Sequence, residues 1–140
     1  LLNVTLVFQL LRVLGAMMGA LAGAAMFALH PLQIETVAWA SMTKDLLFAF
    51  FGFGFLWVCI SKPRRVGWAT ILLLASLFSK PTAVALPFMA FLLMKKKPTS
   101  VFAGWLALVT GFAIWTRISQ TGATLDFHPA WFARPWIALD

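Results

Sequence analysis

The sequence predicts an all-α protein, a polytopic transmembrane bundle of about six helices, and three observations carry this prediction. Hydrophobic residues make up 62% of the 140-residue chain, and its mean hydropathy is +0.93. Soluble domains are about 45–50% apolar and about 25% charged, whereas this chain is only 11% charged. The apolar residues form long runs separated by short basic clusters, as in membrane proteins with cytoplasmic loops. We therefore expect an integral, multi-pass membrane protein whose net charge of +7 does not indicate nucleic-acid binding.

The first apolar run, Leu1 to Leu14, is predicted to be the end of a membrane helix. It starts without a methionine or a basic leader, so we expect this chain to be a fragment of a longer protein. A second helix is predicted from Ala16 to Leu29. Its glycines recur every four residues and leave one face nearly bare, so that a neighbouring helix can approach closely. These glycines are Gly15, Gly19 and Gly23.

The second helix should end at His30, because Pro31 lacks an N–H and disfavours helical backbone in the residue before it. Residues 33–43 are predicted to form a short amphipathic connector. A third membrane helix, dense in phenylalanine, follows from Leu46 to Ile60. The segment SKPRR at 61–65 is a basic turn.

The run from Val66 to Met94 allows two interpretations. It could be one long helix kinked at its prolines, or two short helices joined at Ser79-Lys80-Pro81. Two crossings would put both neighbouring basic clusters on the cytoplasmic side, which the positive-inside rule favours. The 14 residues from Val66 to Ser79 span roughly 21 Å at 1.5 Å per residue, less than the hydrocarbon thickness of about 30 Å. We therefore expect Lys80, at the tip, to lie slightly below the outer interface.

The last predicted helix runs from Val101 to Ile118. Residues 1–118 would then form the transmembrane domain. Residues 119–140 would form an extracytoplasmic interfacial loop, for which Trp131, Phe132 and Trp136 are suitable residues. No complete second domain is expected.

This topology separates the charges by side of the membrane. Seven of the eleven Lys and Arg residues would be cytoplasmic, namely Arg12, Lys62, Arg64, Arg65, Lys95, Lys96 and Lys97. All four acids would be extracytoplasmic, namely Glu35, Asp45, Asp126 and Asp140. Ionisable groups near a bilayer are expensive to keep, so the stretch from His30 to Asp45, which holds two of the four acids, is the predicted site.

Three segments resemble one known family. They are FALHPLQIETVAW at 27–39, KDLLFAFF at 44–51 and LFSKPTAVALPF at 77–88. Together they are similar to polytopic glycosyltransferases of the GT-C superfamily that often carry tetratricopeptide repeats, including bacterial repeat proteins and eukaryotic O-mannosyltransferases. The resemblance covers about residues 1–118 and implies a GT-C-like fold.

The resemblance implies an enzyme of a bacterial inner membrane or its equivalent, with its site facing the extracytoplasmic side. It would transfer a sugar from a polyprenyl-phosphate carrier to an extracytoplasmic acceptor, possibly a protein. Relatives keep a catalytic acid in a first external loop, which would precede Leu1. They also place an aspartate at the start of a later membrane helix, near a metal or the lipid phosphate, and Asp45 matches that position. No repeat follows residue 118 in this sequence, so the repeat region is expected either to lie beyond this fragment or to be absent, and the resemblance does not specify the acceptor.

Three residues are the candidate catalytic set. His30 could bind a divalent metal, move a proton or bond a phosphate, or it could simply end a helix. Glu35 could hold a metal or act as a base toward an acceptor hydroxyl, or it could be an acid favoured at a helix N-terminus. Asp45 would lie near a metal or the lipid phosphate, as the resemblance implies, or it could be an acid favoured at a helix N-terminus. If a metal is present, Mg²⁺ or Mn²⁺ on His30, Glu35 and Asp45 is expected.

Two lysines are the candidate substrate-binding residues. Lys44 adjoins Asp45, but successive helical residues point about 100° apart, so the two need not pair. Lys80 lies between two apolar runs and must either extend toward water or find an anion. The carrier phosphate would be such an anion.

A second function class is a non-catalytic membrane scaffold or a transporter. A transporter would be expected to carry charges near mid-membrane and broken helices in repeated halves. Here the charges lie at the edge and no inverted repeat is visible, which favours the enzyme.

Overall fold

The computed structural model describes residues 1–31, 42–94 and 99–121. Within these ranges the secondary structure is helical and contains no strand, so the all-α prediction is confirmed for the described chain. The helices are α1 (Leu2–Leu14), α2 (Met17–Leu29), α3 (Thr43–Ser61), α4 (Val66–Ser79), a 3-10 helix (Pro81–Ala85), α5 (Leu86–Leu93) and α6 (Thr99–Thr121).

Two helical segments are long and apolar enough to cross a membrane, Thr43–Ser61 and Thr99–Ser119. The other apolar helices of the described chain have 10 to 17 residues, counting Pro81–Leu93 as one. A short helix crosses a bilayer of ordinary thickness only if the bilayer thins or polar flanking residues reach outward. The two longer segments support membrane association, and crossing by all the helices stays a prediction.

Helices α1 and α3 run in parallel. At their starts the Asn3 side-chain amide donates a hydrogen bond to the Leu46 carbonyl, with an N···O distance of 3.1 Å. Near their ends Leu14 and Ile60 line the same recess. Helix α2 returns antiparallel to α1, since only Gly15 and Ala16 separate them. The start of α1, the end of α2 and the start of α3 therefore lie at one end of the bundle.

Helix α4 is antiparallel to α3 and packs closely against it. The Ser76 hydroxyl, fully buried, donates to the Phe48 carbonyl at 3.3 Å. The approach is close because α3 carries glycine at the contact. A Cβ added to Gly52 would lie 3.6 Å from the Ser76 hydroxyl oxygen, and one added to Gly54 would lie 3.6 Å from the Leu72 side chain. The same Cβ on Gly52 would lie 3.4 Å from the methyl carbons of Leu86 in α5.

The break at Lys80 decides between the two interpretations of the run from Val66 to Met94. Helix α4 ends at Ser79, and Lys80 has extended backbone with φ −154° and ψ 128°. The 3-10 helix begins directly at Pro81. Met94 lies beside Val66 in one recess, so the chain has turned back to the level at which α4 began. The prediction of two short segments joined at 79–81 is confirmed.

Helix α6 runs parallel to α4 along the outside of the bundle. The Trp105 indole donates to the Thr70 hydroxyl at 2.9 Å, and farther along the Phe112 ring meets the Phe78 ring edge-on at a centroid distance of 5.5 Å. The Trp105 ring also packs edge-on against Phe55, which is fully buried in α3. Phe55 thus joins α3 and α6 in the apolar core.

The predicted boundaries of two helices are wrong. Helix α3 begins at Thr43 and not at Leu46, because Asp45 in the first turn is favoured by the positive helix N-terminus. Helix α6 begins at Thr99 and reaches Thr121, so residues 119–121 are helical and do not belong to the predicted loop. Its backbone ladder continues through the polar residues Ser119 and Thr121.

Candidate functional site

The charged side chains of the described residues divide between the two ends of the bundle. One end, here the basic end, has Arg12 in the last turn of α1 and Lys62, Arg64 and Arg65 after α3. The opposite end, here the ion-pair end, has His30, Lys44, Asp45, Lys80 and Arg117. Asp45 is the one acid of the described residues, and it lies at the ion-pair end. This division is the one the sequence predicts.

An ion pair between Lys80 and Asp45 forms the centre of the ion-pair end. The Lys80 ammonium donates to the Asp45 carboxylate oxygen Oδ1, from a position 35 residues later in the chain. The Asp45 side chain is 24% exposed and that of Lys80 is 37% exposed. A partly desolvated pair attracts more strongly than a surface pair, because less water screens the two charges.

The local fold accounts for the position of each partner. Asp45 lies in the first turn of α3, where the helix dipole stabilises a negative charge. Lys80 lies at the break between α4 and the 3-10 helix, where its N–H still bonds the Ser76 carbonyl at 2.9 Å. Its own carbonyl accepts the Ala83 N–H at 3.1 Å. These backbone bonds fix the direction of the Lys80 Cα–Cβ bond, and the contact with Asp45 fixes the position of the ammonium group.

Asn3 also lies at the ion-pair end, and the sequence did not identify it as a candidate site residue. Its amide bonds the carbonyl of Leu46, the residue next to Asp45, and its own Oδ1 atom is buried with no hydrogen-bond partner among the described residues. Asn3 belongs to a sequon within an apolar run and shows no functional signal in the sequence.

Of the other predicted site residues, two are exposed at the ion-pair end and one lies outside the described residues. His30 caps the end of α2 and is exposed, and Lys44 is exposed in the first turn of α3. The structure does not pair Lys44 with Asp45, which instead bonds Lys80. Glu35 lies outside the described residues, as do the aromatic residues predicted for the loop after residue 121.

Of the three predicted metal ligands, the structure describes His30 and Asp45. In residues 1–31, 42–94 and 99–121 no three His, Cys, Asp or Glu side chains gather into a group, and the third predicted ligand, Glu35, lies outside those ranges. The Lys80 ammonium partly neutralises Asp45, which lowers the attraction of this carboxylate for a divalent cation. Asp45 could bind such an ion through its second oxygen, since an ionised carboxylate has two.

Comparison of the chain with protein families, with characterised proteins and with solved structures finds no match.

Proposed function

We propose that this chain is part of a GT-C-like membrane glycosyltransferase that transfers a sugar from a polyprenyl-phosphate carrier to an extracytoplasmic acceptor. The observation that carries the proposal is the Lys80–Asp45 ion pair, which stands at the end of an apolar helical bundle opposite the basic end. By the positive-inside rule the basic end faces the cytoplasm, so the ion-pair end faces outward. A multi-pass arrangement of the helices is part of the same proposal.

The donor phosphate and Lys80 suit each other in depth and charge. A polyprenyl tail must stay in hydrocarbon, so its phosphate lies at the level where the membrane helices end. Lys80 lies at such an end and is 37% exposed. An ammonium group has three N–H donors, and one of them goes to Asp45. Two remain for phosphate oxygens, while Asp45 holds the ammonium in position.

The proposed reaction is displacement at the anomeric carbon of the donor sugar. The acceptor hydroxyl oxygen forms the new bond to that carbon, the bond from the carbon to the carrier phosphate oxygen breaks, and the phosphate leaves with the electron pair. The hydroxyl proton goes to a carboxylate, for which Glu35 or Asp45 is proposed. Lys80 and Lys44 would stabilise the negative charge that develops on the leaving phosphate.

A divalent cation, Mg²⁺ or Mn²⁺, is proposed as an optional component held by His30, Glu35 and Asp45. It would neutralise part of the charge on the leaving phosphate. His30 ends α2 at the ion-pair end, and its imidazole is a common metal ligand.

A non-catalytic scaffold is the second candidate, and one observation favours it. Lys80 and Asp45 satisfy each other's charge, so the pair could serve only to join α3 to the turn after α4. A transporter has less support, because the charges of the described residues lie at the ends of the helices and not at their middles.

A transfer assay on the full-length protein in vesicles separates the enzyme from the scaffold. We expect Glu35→Gln and Asp45→Asn, which keep shape and remove charge, to abolish sugar transfer while the protein still folds. Arg64→Gln, a charge removal at the exposed basic end, is the control and should transfer normally. Normal transfer by both acid variants would leave the scaffold as the better account.

A further inference from the structure

An open recess with apolar side chains in its walls lies at the basic end, away from the proposed catalytic site. It has a volume of about 290 Å³ and lies where α1, α3 and α5 end. Its lining includes Val13, Leu14, Ile60, Pro63, Leu93 and Met94. Engineered apolar cavities of about 150 Å³ already bind benzene, so this recess has room for a segment of hydrocarbon chain.

Positive charge adjoins the recess. Lys62 and Arg65 line a smaller recess, and the two recesses share Cys59, Pro63 and Met94 as lining residues. Both basic side chains are exposed. Their carbon stems can lie along the apolar surface while the charged groups stay in water.

No acid of the described residues opposes these charges, since the one described carboxylate, Asp45, lies at the other end of the bundle. Arg12 precedes Val13 of the recess and is also exposed. The rim of the recess therefore has a positive potential that only an anion from outside the described chain can neutralise. The Lys62 ammonium also lies 5.2 Å from the Trp57 ring centroid, so its position is partly fixed.

We infer that this recess binds an anionic phospholipid, with part of an acyl chain between Leu14 and Leu93 and the headgroup phosphate on Lys62 and Arg65. The occupant must offer a hydrocarbon chain and a negative charge next to each other at the level where the helices end. An anionic phospholipid offers both, whereas a zwitterionic lipid lacks the net charge and free phosphate lacks the chain. Basic pockets between helices are known to bind anionic headgroups. This inference rests on the membrane arrangement of the helices in the proposed function, but not on the proposed sugar transfer.

Native mass spectrometry of the purified protein in detergent micelles tests the inference, with phosphatidylglycerol and phosphatidylcholine of the same acyl chains as probes. We expect one phosphatidylglycerol to bind more tightly than phosphatidylcholine. Lys62→Gln and Arg65→Gln should each weaken phosphatidylglycerol binding about five-fold, as expected for one basic residue near an anionic surface. Arg117→Gln, an equal charge loss at the opposite end of the bundle, should not weaken it.

A second pair of variants tests the recess itself. Leu14→Trp places a large ring at a half-exposed wall position and should weaken phosphatidylglycerol binding at least five-fold by the same measurement. Leu92→Trp makes the same change at a leucine that is 78% exposed and lies outside the recess, so binding should be unchanged. The inference is overturned if the two lipids bind equally, or if Leu14→Trp and Leu92→Trp behave alike. Glycerol phosphate should not compete with phosphatidylglycerol for binding. Full competition would mean that Lys62 and Arg65 bind a free anion, and it would overturn the inference.

Discussion

Lys80 and Asp45, 35 residues apart in the chain, meet as an ion pair where α4 ends and α3 begins. The pair connects two helices that also bond through Ser76 and the Phe48 carbonyl. Lys80 therefore has a protein anion as its partner, and its side chain does not have to extend into water to keep its charge. This contact leads to two predictions, one on stability and one on substrate binding.

The ion pair should contribute measurably to stability. A double-mutant cycle with Lys80→Met, Asp45→Asn and both together isolates the pairwise term. Because Lys80 is 37% exposed, we expect a favourable coupling of only about 1 kcal/mol in the free energy of unfolding, near the upper limit for exposed pairs. The measurement is reversible unfolding in mixed micelles. A coupling of zero would mean that the contact does not stabilise the protein.

Lys80 should also determine the affinity for the lipid-linked donor. Lys80→Met keeps the apolar stem and removes the charge. The KM for the carrier should therefore rise roughly ten- to hundred-fold, which corresponds to the loss of one hydrogen bond to a charged group. Lys80→Arg keeps the charge and should raise KM less. Asp45→Asn should act mainly on kcat. An unchanged KM in Lys80→Met would mean that Lys80 pairs with Asp45 and does not contact the carrier phosphate.

The glycines of α2 should differ in their tolerance of large side chains. A Cβ on Gly23 would lie 2.6 Å from the Leu11 Cδ1 atom of α1, whereas one on Gly19 would meet nothing within 4 Å. Gly23→Leu should therefore destabilise the protein by about 2 kcal/mol through overpacking. Gly19→Leu is the control and should be neutral or slightly stabilising, since leucine is the better helix former. Equal effects in thermal unfolding would contradict the α1–α2 packing.

The hydrogen bond between Trp105 and Thr70 should help to hold α6 against α4. Trp105 is buried, and its indole donates to the Thr70 hydroxyl at 2.9 Å. Thr70→Val keeps the shape and leaves the indole N–H without its partner, which should cost about 1–3 kcal/mol. Thr110→Val, on the exposed side of α6, is the matched control and should change the unfolding free energy little.

The two ends of the bundle should be accessible from opposite sides of the membrane. In a Cys59→Ala background, cysteines at Thr82 and Lys44 should be labelled by an impermeant reagent from the extracytoplasmic side. Cysteines at Arg12 and Arg64 should be labelled only from the cytoplasmic side. All four native residues are exposed, so access to the side chain does not limit the result. Labelling of Thr82 and Arg64 from the same side would disprove the topology.

The sequence by itself determined the helical class and most helix positions. Val66–Ser79 agrees with its predicted range, and the predicted end of the second helix at Leu29 is also confirmed. These positions are local properties, since apolar runs predict helices and proline or charge clusters end them. The sequence also predicts the separation of the charged side chains between the two ends of the bundle, because each basic cluster lies between two apolar runs. The start of α3 at Thr43 and the end of α6 at Thr121 were not predicted, because helical backbone can continue beyond the outermost apolar residue of a run.

Only the tertiary structure decided which residues meet. The partner of Lys80 is Asp45, the Asn3 amide reaches the Leu46 carbonyl, and Trp105 bonds Thr70. Each contact joins residues at least 35 positions apart, and hydropathy does not encode how helices rotate and shift along one another. That choice depends on close packing, such as that of Gly52 in α3 against Ser76 in α4 and Leu86 in α5, the helices before and after the break at Lys80. The pairing is therefore a property of packed surfaces and not of any single stretch of the chain.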